Sequence, residues 1–137
     1  MLYLRAKILK WRRKKSTRKR ARIDEYMAKL FDALYENNFK LAKILIDSGK
    51  LEVNIKDDYG DTPLIVVCQW TTIQNEDEAV KFIKYLWQSG SKVQTSNDLG
   101  KTAMENAMRN GLMKNMKTLQ YIQCKIFYDD LYNVDLI

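Results

Sequence analysis

The sequence predicts an all-α fold, a short solenoid of stacked helix pairs joined by finger loops and preceded by a basic N-terminal extension. Three observations predict it: a motif that occurs twice, helical segments that end in glycine, and a sharp change in charge after residue 22. The motif begins with a turn residue, two variable residues, Gly and one variable residue. Thr follows, then either Pro or Ala, and then an apolar helix. Its copies are DDYGDTPLIVVC at residues 57–68 and NDLGKTAMENAM at residues 97–108.

Each part of the motif has a physical role. Gly60 and Gly100 suit a tight turn that needs positive φ. Thr62 and Thr102 are suited to cap the helix that follows, and Pro63 suits a first helical turn because its missing N–H is not needed there. The pattern resembles the opening of an ankyrin repeat. This resemblance implies a short ankyrin-repeat solenoid that binds other macromolecules and does not catalyse.

The first predicted repeat covers residues 23–56. Asn37 and Asn38 form a plausible turn between its two helices, because Asn tolerates left-handed geometry. Gly49 stands where a glycine ends the second helix, and residues 50–56 are the extended finger that leads into the next repeat. The predicted apolar faces of the two helices are Leu30, Ala33 and Leu34 in the first, and Leu41, Ile44, Leu45 and Ile46 in the second.

The second predicted repeat covers residues 57–96 and closes at Gly90. Gly60 and Gly100 are 40 residues apart, whereas the ankyrin period is about 33. We assign the excess to an insertion between the two helices, WTTIQNEDE, which loop-closure entropy tolerates. The lengthened loop, with TPLIVVC before it and VKFIKYLWQSG and GKTAMENAM after it, resembles the ankyrin repeat domain 34 group.

The third predicted repeat covers residues 97–122, with Asn110 and Gly111 as the turn between its helices. Residues 123–137 follow as a capping segment and tail. Terminal repeats are expected to be atypical because they cap the stack.

The resemblance places partner binding on the finger tips and the first helices. An exposed Tyr flanked by carboxylates suits a binding hot spot, since aromatic residues dominate binding energy and charges steer approach. The alternative is that these are ordinary solvated turn residues. Trp70 either anchors a partner or folds back over the widened gap between the helices, whereas Trp87 is expected to pack. The predicted partner-binding residues are Asp58, Tyr59, Asp61, Trp70, Asp98, Leu99 and Lys101.

The basic extension, residues 1–22, holds eleven Lys or Arg and no acidic residue, whereas the remaining 115 residues hold thirteen basic and seventeen acidic residues. Four interpretations stay open: a nuclear-import signal read by an import receptor, a contact to nucleic acid or anionic membrane, a mitochondrial presequence, and a solvated leader. The second would make the chain a tether whose repeats only support the arm. The basic residues predicted for these roles are Arg12, Arg13, Lys14, Lys15, Arg18, Lys19, Arg20 and Arg22.

Several classes of function are disfavoured by composition. The chain has no His, so imidazole metal ligands and His-dependent triads are excluded. The two cysteines, Cys68 and Cys124, lack metal-ligand spacing and are expected to be buried free thiols of a reducing compartment. We therefore expect no enzyme, no metal, no cofactor and no small-molecule substrate. No apolar run approaches the roughly 18 residues of a membrane span, and we expect an intracellular protein of the nucleus, the cytoplasm or both.

Overall fold

The computed structural model describes residues 20–135 of the chain, without the side chains of residues 133–135. These residues contain helices and turns and no strand beyond one isolated bridge between Ser96 and Thr102. The predicted all-α class is thereby confirmed for the described part of the chain. The helices are α1 (residues 20–35), α2 (Phe39–Asp47), α3 (Pro63–Trp70), α4 (Glu76–Gln88), α5 (Ala103–Arg109) and α6 (Met113–Asp135), with a 3-10 turn at Ile73–Asn75.

The helix starts follow the predicted capping chemistry. The hydroxyl of Thr62 accepts a hydrogen bond from the backbone N–H of Ile65, and Pro63 occupies the first turn of α3. The hydroxyl of Thr102 accepts from the N–H of Glu105 in the same way at α5. These bonds satisfy helix N–H groups that have no partner within the helix.

The turn before α2 also follows the prediction. Asn37 adopts a left-handed φ of 57°, and Asn38 caps α2 by accepting from the N–H of Leu41. Asn takes this geometry at lower cost than most residues because its short side chain bonds locally.

The helix pairs stack in two rows. First helices form one row, in which α3 packs on α5, and second helices form the other, in which α4 packs on α2 and α6. The core lies between the rows and is filled by branched aliphatic side chains, so burial of apolar surface holds the pairs together. Its largest fully buried apolar side chains are Leu30, Leu34, Leu64, Ile65, Val66, Val67, Ile83, Leu86, Leu112, Leu119 and Ile122.

The predicted apolar face of α2 is partly wrong. Leu45 and Ile46 are buried as expected, but Ile44 is 65% exposed and Leu41 is also exposed, whereas Ala42 is buried. Positions 42, 45 and 46 share one face of a helix at the 3.6-residue period, and position 44 falls on the opposite face. Because residues 44–46 are all apolar, the sequence did not show which of them face the core.

The predicted insertion is only partly a loop. Trp70 is the last residue of α3, and a five-residue connection leads to α4, which begins at Glu76. The acidic run Glu76–Glu78 therefore forms the first turn of α4. Carboxylates are favourable there because the helix dipole is positive at its N-terminus.

The C-terminal part of the structure is one helix. α6 runs without a break through residue 122, where the third repeat and the capping segment were predicted to meet. Cys124 lies on its surface and is exposed, so the expectation that both thiols are buried is wrong for Cys124. Cys68 is buried, and burial raises the pKa of its thiol to about 12.

Candidate functional site

Two finger turns precede α3 and α5 and carry most of the predicted binding residues. We call residues 57–61 the first finger turn and residues 97–101 the second. Tyr59 is 72% exposed at the tip of the first, and Leu99 is 84% exposed at the tip of the second. The predicted residues Asp58, Asp98 and Lys101 are exposed beside them. The fold thus brings five of the seven predicted residues to one row of tips.

The two finger turns have matching internal hydrogen bonds. The Oδ1 atom of Asp57 accepts from the backbone N–H groups of Tyr59 and Asp61, each at 2.9 Å. The Oδ1 atom of Asn97 accepts from Leu99 at 3.0 Å and from Lys101 at 2.9 Å. Side-chain bonds of this kind hold a turn in one conformation. Each tip side chain is therefore presented by a turn that is already ordered.

The finger turns are also joined to each other. The backbone N–H of Asp98 donates to the carbonyl of Tyr59 at 3.1 Å. Gly60 has a φ of 76°, and a Cβ built on it would lie 2.4 Å from Oδ1 of Asp98. Only glycine fits this close approach without displacing the neighbouring finger. The spacing of Tyr59 and Leu99 is consequently fixed by backbone contact.

The prediction that Asp61 contacts a partner is wrong, because Asp61 is buried, with 6% of its surface exposed. Its Oδ1 atom accepts from Asn97 Nδ2 at 2.9 Å and from Gln69 Nε2 at 3.5 Å. Burial raises the pKa of the Asp61 carboxyl above its ordinary value, and the hydrogen bond from Asn97 opposes this shift. The residue ties the two finger turns and α3 together and is not open to a partner.

Trp70 lies on the first-helix face and is 54% exposed. Its ring meets the ring of Tyr35 edge to face, with centroids 5.4 Å apart. Its carbonyl accepts from Asn37 Nδ2 at 3.3 Å, so it is held against the preceding repeat and does not cover the gap to α4. Trp87, by contrast, is partly buried against the core, as predicted.

Tyr35 extends the aromatic surface and was missed in the sequence. It ends α1, is exposed, and its hydroxyl donates to Oδ2 of Asp57 at 3.4 Å. Burial and the Asp57 carboxylate raise the pKa of the Tyr35 phenol. Tyr35 and Trp70 are the last residues of their first helices, α1 and α3, but Tyr35 lies 35 residues before Trp70 whereas Leu30 lies 34 before Leu64, so the repeat pattern did not point to it.

A cleft of about 300 Å³ opens between the ends of α3 and α5. Asn110 lines this cleft, and its Nδ2 donates to the carbonyls of Cys68 and Gln69, each at 3.0 Å. These bonds fix the end of α5 relative to the end of α3. Arg109 is exposed at the edge of the cleft and supplies positive charge beside Trp70. The residues lining the cleft are Gln69, Trp70, Asn106, Arg109 and Asn110.

The acidic run at the start of α4 has an internal structural role. Glu76 is buried, and its Oε1 atom accepts from the backbone N–H groups of Lys114 at 2.5 Å and Asn115 at 3.1 Å. Asp77 pairs with the Lys114 ammonium at 2.7 Å, and this hydrogen bond lowers the pKa of Asp77. The sequence offered one signal of this capping role. Leu112 precedes the first residue of α6 and has no side-chain group that could cap the helix, so the cap has to come from elsewhere.

Most of the predicted basic residues lie outside the described residues: Arg12, Arg13, Lys14, Lys15, Arg18 and Lys19. Arg20 and Arg22 are exposed on the first described turns of α1. The roles assigned to this segment stay predictions.

Among the side chains that the structure describes, those of residues 20–132, there is no cluster of three or more His, Cys, Asp or Glu that could ligate a metal. Within the same residues, no helix combines the length and the apolar character that crossing a bilayer requires.

Comparison with known proteins agrees with the stacked helix pairs. A family model described as "Ankyrin repeats (3 copies)" matches residues 30–130. The crystal structure of EF0377, an ankyrin repeat protein, is similar with a TM-score of 0.58 and 24% sequence identity over 66% of this chain. The match covers 45% of that protein, so it supports the fold alone. The finer resemblance to the ankyrin repeat domain 34 group stays a prediction. With three stacked helix pairs and a family match over most of its length, the chain belongs to the ankyrin repeat family.

Proposed function

We propose that this chain is a non-catalytic interaction module that binds a protein partner through its finger tips and first helices. The observation that carries the proposal is the pair of exposed apolar tips, Tyr59 and Leu99, on matching turns joined by backbone contact. Such tips lose little conformational entropy when a partner binds, because the turns beneath them are already ordered. Ankyrin repeats are in general protein-binding modules, which supports the coarse assignment.

The charge around the tips indicates the chemistry of the partner. The two finger turns together hold four Asp, of which Asp58 and Asp98 are exposed, and one Lys, Lys101, which is paired with Glu105 at 3.7 Å. Two further exposed aromatic rings, Tyr35 and Trp70, lie in edge-to-face contact at the ends of the first helices. We therefore propose a partner segment that combines apolar side chains with Lys or Arg. The carboxylates would accelerate encounter, and the aromatic residues would supply most of the affinity.

A photo-cross-linking experiment tests the proposal in the full chain. Benzoylphenylalanine is placed at position 59, at position 99 or at position 44 in separate variants. Ile44 is the matched control because it is 65% exposed and lies on a second helix, outside both finger turns. Cross-linked proteins are then identified by mass spectrometry.

We expect positions 59 and 99 to cross-link the same protein, since a partner seated on both tips contacts both. Position 44 should not enrich that protein. Absence of a shared product, or equal enrichment from position 44, would show that the finger turns are not the binding surface. Recovery that depends on residues 1–22 alone and falls steeply between 50 and 200 mM salt would favour the tether instead.

A further inference from the structure

The cleft between the ends of α3 and α5 presents hydrogen-bonding groups that the fold does not use. Three of its five lining residues carry side-chain amides: Gln69, Asn106 and Asn110. In each of them the amide nitrogen donates to an atom of the protein, whereas the amide oxygen accepts no hydrogen bond from a described residue. The cleft therefore offers a set of oxygen acceptors to a ligand.

The atoms that the amide nitrogens contact fix which side of each amide is the oxygen. Asn110 Nδ2 lies 3.0 Å from each of two backbone carbonyl oxygens, and Asn106 Nδ2 lies 3.0 Å from another. Gln69 Nε2 lies 3.5 Å from Oδ1 of the Asp61 carboxylate. Carbonyl and carboxylate oxygens only accept hydrogen bonds, so a donor nitrogen must face them. Exchanging nitrogen and oxygen in any of the three amides would bring two acceptors together.

Asn106 marks the cleft as a binding site, because its amide is not needed by the core. Only 5% of its surface is exposed, and the same position of the preceding repeat, 40 residues earlier, is held by the fully buried Val66. The Thr102 carbonyl that accepts from Asn106 Nδ2 already accepts from the backbone N–H of Asn106. An oxygen without a partner at a nearly buried position costs free energy that a valine would not cost. A donor that enters the cleft and pairs with this oxygen offsets that cost.

Arg109 supplies the complementary hydrogen-bonding group. Its side chain is exposed at the edge of the cleft and makes no ion pair and no hydrogen bond with the described residues. A guanidinium only donates hydrogen bonds, whereas the three amide oxygens only accept them. A cation in the cleft would face the charge of Arg109, and a carboxylate would face the three oxygens. A neutral group that both donates and accepts satisfies both sides of the cleft.

Trp70 and the size of the cleft indicate the shape of this group. The Trp70 ring is 54% exposed, lines the cleft and is held by its edge-to-face contact with Tyr35. A flat group makes more van der Waals contact with a flat ring than a tetrahedral group does. The volume of about 300 Å³ is at the small end of the range for ligand pockets, so it suits one small group and not a whole nucleotide or cofactor.

We propose that the cleft binds an amide group of the partner, either a main-chain peptide group or the side-chain carboxamide of Asn or Gln. The N–H of this amide donates to Asn106 Oδ1 and its carbonyl oxygen accepts from Arg109, while its plane lies against Trp70. The inference rests on the proposed function, because it adds a polar anchor to the segment that contacts the finger tips.

Titration of the isotope-labelled full chain with small probes tests the chemistry of the cleft without the partner. The probes are acetamide for a side-chain carboxamide, N-methylacetamide for a peptide group, methylguanidinium for a cation and acetate for an anion, at equal concentrations. NMR follows the indole N–H of Trp70 and the side-chain amides of Asn106 and Asn110. We expect saturable shifts with an amide probe and no saturable shift with either ion, and the amide that binds more tightly identifies the source. Tighter binding of methylguanidinium or acetate, or no saturable shift with any probe, would overturn the proposal.

Three substitutions separate a binding role from a structural one. Asn106→Val introduces the residue that the preceding repeat has at this position, so the fold is retained, and the dissociation constant for the amide probe should rise by about threefold or more. Arg109→Ala should weaken the amide probe and strengthen methylguanidinium, a change of preference that a purely structural role would not produce. Met108→Ala is the matched control, since Met108 is 58% exposed on α5 outside the cleft. Unchanged binding in Asn106→Val, or an equal loss in Met108→Ala, would contradict the assignment.

The outcomes also separate this inference from the proposed function. Shared cross-links at positions 59 and 99 without amide binding would overturn the inference and leave the finger tips as the binding surface. Saturable amide binding without shared cross-links would support the cleft as an amide site and count against the finger tips.

Discussion

Replacement of Gly60 by Ala tests whether contact between the fingers fixes the binding surface. The left-handed φ of 76° costs an Ala about 1–2 kcal/mol. The new Cβ would also lie 2.4 Å from Asp98 Oδ1 and 2.9 Å from its backbone nitrogen, so the second finger turn must move. Losing the hydrogen bond from Asp98 to the Tyr59 carbonyl adds about 1 kcal/mol. We expect a total destabilisation of about 2–3 kcal/mol.

Gly100 offers a matched control for this substitution. Its φ is 75°, nearly that of Gly60, but a Cβ there meets no atom within 4 Å. Gly100→Ala should therefore cost only the backbone strain, about 1–2 kcal/mol. Urea unfolding followed by circular dichroism measures the free energy of unfolding of both variants. In thermal unfolding, a difference of 1 kcal/mol corresponds to a shift in Tm of about 4 °C for a domain of this size. Equal destabilisation by the two substitutions would refute the contact between the fingers.

Three further predictions concern single side chains. Glu76→Ala should lower the free energy of unfolding by about 1–3 kcal/mol because it uncaps α6. Glu78→Ala removes an exposed ion pair with Lys81 and one carboxylate from the first turn of α4, so it should cost less than about 1 kcal/mol; urea unfolding compares the two variants. Burial raises the pKa of Asp61, so its contribution to stability is present below its ordinary pKa and is lost as pH rises through the raised value. Asp61→Asn should remove that part of the pH dependence, which NMR titration and unfolding at several pH values would detect. Folded protein should react with Ellman's reagent at Cys124 alone. Cys68 should react only on unfolding, since burial raises its thiol pKa to about 12. Fast modification of two thiols in the folded protein would contradict the burial of Cys68 in the core.

Local chemistry made the helix boundaries predictable. Thr62 and Thr102 cap their helices, and Gly60 and Gly100 adopt positive φ as the motif required. These features depend on neighbouring residues only, so the sequence contains all the information that they need. The tip positions of Tyr59 and Leu99 followed from the same turns, and the structure exposes both.

Features that depend on contact between repeats were not predictable in the same way. The burial of Asp61 follows from the approach of Asn97 in the next finger, and Glu76 caps a helix that begins 37 residues later. No local pattern identifies the partner in such pairs, because the absence of a side-chain cap at Leu112 shows only that α6 needs a cap from elsewhere in the chain. The exposure of Ile44 was missed because an apolar run of three residues fits two rotations of a short helix, and tertiary packing decides between them.

The most direct test of the proposed binding surface is the affinity of the cross-linked partner for the intact chain. Tyr59→Ala combined with Leu99→Ala should weaken binding at least tenfold, since two hot-spot side chains contribute more than about 1 kcal/mol each. Far-UV circular dichroism should stay unchanged, because both side chains are exposed and cap no helix. An affinity that survives this double substitution, and is lost when the basic residues at positions 12–15 are replaced by Ala, would contradict the account.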